Sequence, residues 1–425
     1  MSAITRRRFI LAASGTTVAG LIGLPAGGRA ATKAHVVVVG GGYGGAIAAK
    51  YIRKLDPHIA VTLIEKDKQF VSCPLSNEVL SGERDIASLT FGYDGLKSHG
   101  VKVVHDEVVD IDPEKRKVKT KGGSTFAYDR LVVSPGIDFR WEAIEGYGPD
   151  VAEKLPHAWK AGPQTLLLRK QITSMRDGDN VLIIAPPNPY RCPPGPYERA
   201  AQIAHYLKAH KPKSKVIILD PKDKFSKQGL FTAGWKKFYG DRIQWIGGFA
   251  GGTVESVDPK KMTVQAEVET FKGGVINVIP PQKAGPIAHK AGLTDDSGWC
   301  PVDQKTFEST KHPNIHVIGD SCIAGKMPKS GYAANSQGKV CAVAVVAALN
   351  GEPVPQPSYI NTCYSLIAPD YGISVAAVYR LQDGKIVPVK GAGGLSPTQA
   401  PEHVREMEAM HARSWFRNIT SDMFA

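Results

Sequence analysis

Alternating strand and helix patterns predict an α/β chain. It has two parallel-sheet domains, the first interrupted by the second, and then a small C-terminal α+β domain. Three observations carry this. A strand–glycine loop–helix–strand–acid run occupies residues 36–65, a run of the same shape occupies 181–220, and a third strand runs into Gly319-Asp320. Strands that alternate with helical segments are the mark of βαβ units and parallel sheets.

The first run reads His35-Val-Val-Val-Val-Gly-Gly-Gly-Tyr-Gly-Gly45. Four successive valines make a strand buried on both faces. Gly40, Gly42 and Gly45 fit G-x-G-x-x-G, with Tyr43 and Gly44 inside the loop. The first glycine permits a tight turn, the second lets backbone amides approach a pyrophosphate, and the third lets the next helix pack on the strand. Ala46–Leu55 has the composition of that helix, whose N-terminal amides would face phosphate. A second strand, Ala60–Ile64, ends in Glu65, twenty residues beyond Gly45. A carboxylate at that distance holds a ribose hydroxyl. The run therefore predicts a dinucleotide site.

At 425 residues the chain is long enough for two or three cores. With 42% hydrophobic and 22% charged residues, wholesale disorder is excluded. The net charge is +13, but the basic residues are scattered, without long runs or interleaved aromatics. That argues against a nucleic-acid partner. Thr5-Arg-Arg-Arg-Phe9, the mild apolar stretch Ile10–Leu24 and Gly28-Arg-Ala30 look like a twin-arginine export leader over residues 1–30. The expectation is a periplasmic protein exported already folded, with a net charge of +9 once the leader's four arginines are gone. Val340–Leu349 is apolar but too short to span a bilayer and reads as a buried helix, so membrane association is not expected.

Val101–Val104 and Val108–Ile111 read as strands, and Arg130-Leu-Val-Val-Ser-Pro-Gly136 as a short strand ending in a glycine turn. Val108 and Gly136 join the candidate cofactor-binding set. The segment Thr310–Asp320 resembles the second flavin fingerprint of two-domain flavoproteins, in which Asp320 would bind the ribitol of FAD next to Gly319. A helix around Asn335–Leu349 follows. Two fingerprints in this order predict FAD rather than NAD at the first site.

The second run has strand Val181–Ile184, helix Tyr197–Ala209 and strand Lys215–Asp220. Its connecting loop, Ala185–Glu198, carries prolines where glycines belong. Proline offers no N–H to a phosphate and stiffens the turn, so the cradle a pyrophosphate needs is missing. The expected organisation is two Rossmann-like domains: an FAD-binding one over 31–143 and 282–355, and an NAD-like one over 144–281 lacking the phosphate loop. Residues 356–425 form the C-terminal domain. There Ile373–Tyr379 reads as a strand, 391–394 as a glycine-rich turn, and Glu402–Asn418 as a helix. That helix is expected to pack its stripe Val404, Met407, Met410 and Trp415 on the body of the protein.

Six cysteines are present, at 73, 192, 300, 322, 341 and 363, with no C-x-x-C or finger spacing, so no metal site is expected. Cys192 lies in the proline loop and Cys363 in Asn361-Thr-Cys-Tyr-Ser365. Brought together near a flavin they would form a redox disulfide. A structural disulfide or buried thiols fit the same residues. Cys341 reads as core packing, and Cys300 and Cys322 as buried thiols or a pair.

From about Lys33 to the C-terminus the chain resembles the flavoprotein subunits of flavocytochrome c sulfide dehydrogenases. The likeness rests on Cys73-Pro-Leu-Ser-Asn-Glu78, Leu155-Pro-His-Ala-Trp-Lys-Ala161, Tyr190–Arg199, Met327-Pro-Lys-Ser-Gly-Tyr332, Asn335-Ser-Gln-Gly-Lys339 and Asn361-Thr-Cys-Tyr364. The resemblance implies FAD attached by a thioether to Cys73, although Pro74 replaces a bulkier residue. It implies an active-site disulfide of Cys192 with Cys363, and a proton-handling acid at Glu198. Because Glu198 opens a helix, the dipole is expected to favour its charged form. The substrate so implied is hydrosulfide, oxidised to sulfur or polysulfide. No C-x-x-C-H haem motif occurs, so the haem c that accepts electrons would sit on a separate cytochrome c subunit in a heterodimer. The rival reading is a sulfide:quinone oxidoreductase at a membrane surface.

Overall fold

The valines of β1 (His35–Val39) are buried because strands flank them on both sides, and the helix Gly45–Leu55 and the strand Thr125–Ala127 of a small antiparallel sheet pack against them. A computed structural model describes residues 34–425; the expected leader at 1–30 lies outside them. β1 sits third in a five-stranded, all-parallel sheet. On one side lie β2 (Ala60–Ile64) and β3 (Val101–Val104). On the other lie β4 (Arg130–Val133) and, at the edge, β9 (Ile315–Val317). In register, Val39 pairs with Ile64 and Val133, and Val133 with Val317. The chain therefore leaves Gly40, Glu65, Ser134 and Ile318 along one carboxyl edge, where open α/β sheets bind ligands.

α1 (Gly45–Leu55) follows the glycine loop. Gly40 has φ +94°, and a Cβ on Gly45 would stand 1.8 Å from the Gly40 carbonyl oxygen. Both glycines are therefore required by backbone approach alone.

A second parallel sheet has the order β7 (Ile243–Ile246), β6 (Val216–Leu219), β5 (Val181–Ile184), β8 (Val275–Val278). A short helix, α2 (Asn77–Ser81), precedes it in the chain, and α3 (Gly195–His210) and α4 (Gln228–Tyr239) cross over between its strands. α3 starts at Gly195, two residues before the expected Tyr197, because Pro194 and Pro196 suit a first turn whose N–H groups need no partner. α5 (Gly331–Asn350) starts four residues earlier than expected. Ser330 caps it, its Oγ accepting from the Ala333 N–H at 3.0 Å.

The C-terminal part is an antiparallel meander, β10 (Ser358–Ala368), β11 (Tyr371–Gln382) and β12 (Lys385–Leu395), crossed by α6 (Glu402–Phe424). Two expectations fail here. The glycines at 391–394 are not a turn but the end of β12. A Cβ on Gly393 would lie 2.2 Å from the Ala376 carbonyl oxygen, so the glycines serve close strand approach beside the register shift at Ala377/Tyr379. α6 runs on to Phe424, and its buried face is Arg405, Ala409, Ala412, Phe416, Ile419 and Met423. Met407 and Met410 of the expected stripe are 49% and 66% exposed, whereas Trp415 packs on Tyr332 and Tyr364 as expected. Small residues decide this register: Gly372 of β11 comes within van der Waals distance of the Ala409 backbone, which puts the methionines on the neighbouring face. Among the described residues no helix is long and apolar enough to cross a membrane.

Candidate active site

At the carboxyl edge of the first sheet the Gly41 N–H donates to Glu65 Oε2 at 2.8 Å, so the acid that ends β2 reaches the glycine loop. Gly42 and Gly44 continue the loop. Tyr43 is buried, its Oη sharing a hydrogen bond of 2.9 Å with Ser72 Oγ. Gly136 and Gly319 both turn with positive φ, and the Gly319 N–H donates to Gln337 Oε1 at 2.8 Å. Val108 stands apart. It opens a small antiparallel sheet, paired with Thr120, just past Asp106, whose N–H donates to the Glu65 carbonyl at 3.2 Å.

Asp320 faces Arg191 at 3.9 Å, while its Oδ1 is buried without a hydrogen-bond partner. Burial raises its carboxyl above the ordinary range; Arg191 and Lys329 oppose this. A buried acceptor left over at the end of a flavin-type fingerprint matches a ligand hydroxyl. With the cradle of Gly40, Gly42, Gly45 and Glu65, the residues fit FAD.

Beside this edge opens a cleft of about 830 Å³, counting its mouth, whose walls include Cys73, Cys192, Cys363, Glu198, Arg191 and Trp159. Three separated segments bring the cysteines there. Cys73 precedes α2, and its thiol donates to the Trp159 carbonyl at 3.5 Å. Cys192 adopts φ +60° in the proline loop, its N–H donating to the Lys329 carbonyl at 2.8 Å. Cys363 lies in β10, its sulfur accepting from Asn361 Nδ2 at 3.4 Å. All six cysteines are free thiols in the structure. Burial, then the neighbouring Cys363 and Glu198, hold the Cys192 thiol far above its ordinary value.

Glu198 departs from expectation. Half-buried in the cleft wall, its carboxyl is raised rather than lowered, because desolvation outweighs the N–H donors of Leu366 and Asn77, each at 2.8 Å. The helix dipole does not decide its charge.

Beneath it Arg199, 2% exposed, donates to Asn77 Oδ1, to Asn277 Oδ1 and to the carbonyls of His157 and Ala158. This pins the 155–161 segment, with the guanidinium carbon 4.9 Å from the Trp159 ring centroid. Burial lowers the Arg199 pKa to about 10 and His157 to about 3, so this histidine is a neutral structural group.

The second nucleotide fold is filled by its own side chains. Asp220, which ends β6 where a ribose-binding acid would stand, is fully buried. It accepts from Tyr197 Oη at 2.6 Å, Trp245 Nε1 at 3.0 Å and Lys222 Nζ at 2.6 Å. Tyr197 stacks on Phe225 with centroids 3.7 Å apart.

Three family models match in succession. Pyridine nucleotide-disulphide oxidoreductase covers residues 34–173. The central part of the sulfide dehydrogenase [flavocytochrome c] flavoprotein chain covers 165–280, and the flavin-binding part of flavocytochrome c sulphide dehydrogenase covers 355–424. Over 45 residues, 11% of this chain and 94% of the relative, it is 68% identical to the sulfide dehydrogenase [flavocytochrome c] flavoprotein chain of Chlorobaculum thiosulfatiphilum. Together these matches support a flavoprotein oxidoreductase of the sulfide-oxidising kind. It is also 25% identical over 337 residues to the mitochondrial sulfide:quinone oxidoreductase of Mus musculus, covering 72% of this chain and 70% of that one. The solved sulfide:quinone oxidoreductase of Aquifex aeolicus shares the fold, with a TM-score of 0.73 at 16% identity and 92% of each chain covered.

Sequence reasoning missed three residues of this flavoprotein's cleft wall, Asn77, Arg191 and Arg199, and a fourth, Lys227, buried behind it. Arg191 and Arg199 lie inside the Tyr190–Arg199 stretch that carries the family likeness, which was the available signal. Lys227 gives none. It is 4% exposed, and its Nζ donates to the Cys363 carbonyl at 2.9 Å and to Ser365 Oγ at 2.8 Å. Burial lowers its pKa to about 8 against the pull of Cys363, Glu198 and Cys192.

Proposed function

We propose that the chain is the flavoprotein subunit of a periplasmic flavocytochrome c sulfide dehydrogenase. It oxidises hydrosulfide to sulfur or polysulfide, with FAD held as a thioether on Cys73 and the haem of a cytochrome c subunit as electron acceptor. The observation that carries this reading is the gathering of Cys73, Cys192, Cys363 and Glu198 in one cleft, in a chain whose second nucleotide fold has its ribose-binding end filled by Tyr197, Phe225 and Trp245. Reducing equivalents then enter through sulfur chemistry.

In this mechanism Cys192 and Cys363 enter as a disulfide, the two electrons and two protons of their thiols having passed to a two-electron acceptor, the role FAD would fill. Hydrosulfide attacks one sulfur of that bond; its own sulfur stays on that cysteine as a persulfide, and the other cysteine leaves as thiolate. Glu198, with its raised carboxyl, takes the proton of the incoming sulfur. Arg191, Arg199 and Lys227 lie around the cysteines and favour an anion in the cleft. FAD, held by Gly40, Gly42, Gly45, Glu65, Gly319 and Asp320, supplies a two-electron acceptor.

The test is a pair of variants, Cys192→Ser and Cys363→Ser. Each should retain FAD and lose sulfide-dependent loss of oxidised-flavin absorbance; unchanged bleaching in both rejects the disulfide route. Colour that stays with the polypeptide after acid denaturation, with a flavin mass on the Cys73 peptide, checks the thioether. The exposed Met407 and Met410 on α6 favour the second reading, a sulfide:quinone oxidoreductase resting on a membrane. Reduction of a soluble quinone, but not of cytochrome c, would select it.

A further inference from the structure

We infer that Lys227 is a fixed counter-charge for the sulfur anion formed at the Cys192–Cys363 pair, a positioning residue that acts through the cysteines. The inference rests on the proposed sulfur chemistry. Its first support is that local preference does not explain the residue. Lys227 occupies the entry position of α4 with φ +63°. That position favours Ser, Thr, Asp or Asn, the helix dipole disfavours a cation there, and residues other than glycine rarely take this backbone conformation. The chain nevertheless turns this side chain inward.

Its second support is the partner list. The ammonium has three N–H donors. Two go to neutral acceptors, the Cys363 carbonyl and Ser365 Oγ, and the Phe231 ring centroid lies 5.6 Å away. Among the described residues no carboxylate pairs with it. A buried cation is strongly disfavoured without a counter-ion, and here the permanent candidates are held elsewhere. Glu198 gives both oxygens to the Leu366 N–H and Asn77. Glu408, farther off on α6, pairs with Arg405 at 2.9 Å. Of the thiols, Cys363 on β10 and Cys192 in the proline loop are within electrostatic reach of Nζ, Glu198 acting on it between them in strength and Arg191 also acting on Cys192. A charge fixed before reaction, anchored on the backbone carbonyl of the reacting Cys363, is the arrangement that stabilises a leaving thiolate. Lys227 carries that charge below pH about 8 and loses it above.

The experiment uses the whole flavoprotein, reduced with dithiothreitol and alkylated with iodoacetamide from about pH 6 to about pH 9. The rate is read from the masses of the Cys192 and Cys363 peptides. Lys227→Met should raise the apparent pKa of the more reactive thiol by about one unit, an alkylation about tenfold slower near neutral pH. Lys227→Gln, which keeps hydrogen bonding without charge, should do the same, and Lys227→Arg should stay near the parent profile. Far-ultraviolet circular dichroism confirms folding of each. If folded Met or Gln variants keep the parent profile, the inference is overturned. Because alkylation needs neither sulfide nor flavin, failure of sulfide-dependent bleaching in the parent protein counts against the proposed function alone.

Discussion

Tyr197→Phe tests whether the second nucleotide fold has been closed from within. The substitution removes one oxygen and leaves the ring, so the stack on Phe225 at 3.7 Å is retained. What is lost is a 2.6 Å hydrogen bond to Asp220 Oδ2, an oxygen that keeps only the longer 3.0 Å bond from Trp245 Nε1. The other oxygen keeps Lys222 Nζ at 2.6 Å. A hydrogen bond to a charged group contributes about 1.5–3 kcal/mol, and Asp220 has no exposed surface through which water could replace it. The expected loss is about 2 kcal/mol in urea unfolding, seen as a lower midpoint at unchanged slope. Sulfide-dependent flavin reduction should be unaffected, because Tyr197 does not line the cysteine cleft and the oxygen removed is bonded to Asp220. A loss below about 0.5 kcal/mol would refute the reasoning, as would flavin reduction by NADH that the parent lacks together with unchanged stability.

Gly45→Ala forces a Cβ to within 1.8 Å of a backbone oxygen that cannot step aside, so it should cost about 3 kcal/mol and lower FAD content, measured by the flavin-to-protein absorbance ratio. Arg405→Met strips Glu408 of its cation in a place where the arginine is 2% exposed and should cost about 3 kcal/mol in urea unfolding. Glu198 gives a pH prediction. Its carboxyl is raised in the folded state, so the native protein holds that proton more tightly than the unfolded chain. Its contribution to stability is therefore present at low pH and lost as pH rises through the raised value. Glu198→Gln should flatten that part of the stability–pH curve, whatever constant offset the substitution adds.

Features that depend on neighbours in sequence were legible in the chain. The strand, glycines, helix and acid of 36–65 are one local unit, and the prolines of 185–196 exclude a phosphate cradle without help from elsewhere. The placement of Cys192 and Cys363 followed from the family likeness. What stayed hidden depends on distant partners. Glu198 opens a helix, and that alone argued for a charged acid. Its actual state is set by Leu366 and Asn77, both more than a hundred residues away. The register of α6 follows from Gly372 of β11 and the small residues Ala409 and Ala412, whereas its larger apolar residues draw the eye to the wrong face. Lys227 sits in a stretch without periodicity, and only the folded backbone brings β10 beneath it.

The edge strand β9 joins β4 from a position far downstream, pairing Val317 with Val133. During synthesis the ribosome must therefore deliver most of the polypeptide before the Gly319-Asp320 turn can dock beside the glycine loop. Flavin capture is on this ground a late step in biogenesis, and a nascent chain stalled ahead of residue 315 would hold all of its first fingerprint yet no finished pocket for the prosthetic group.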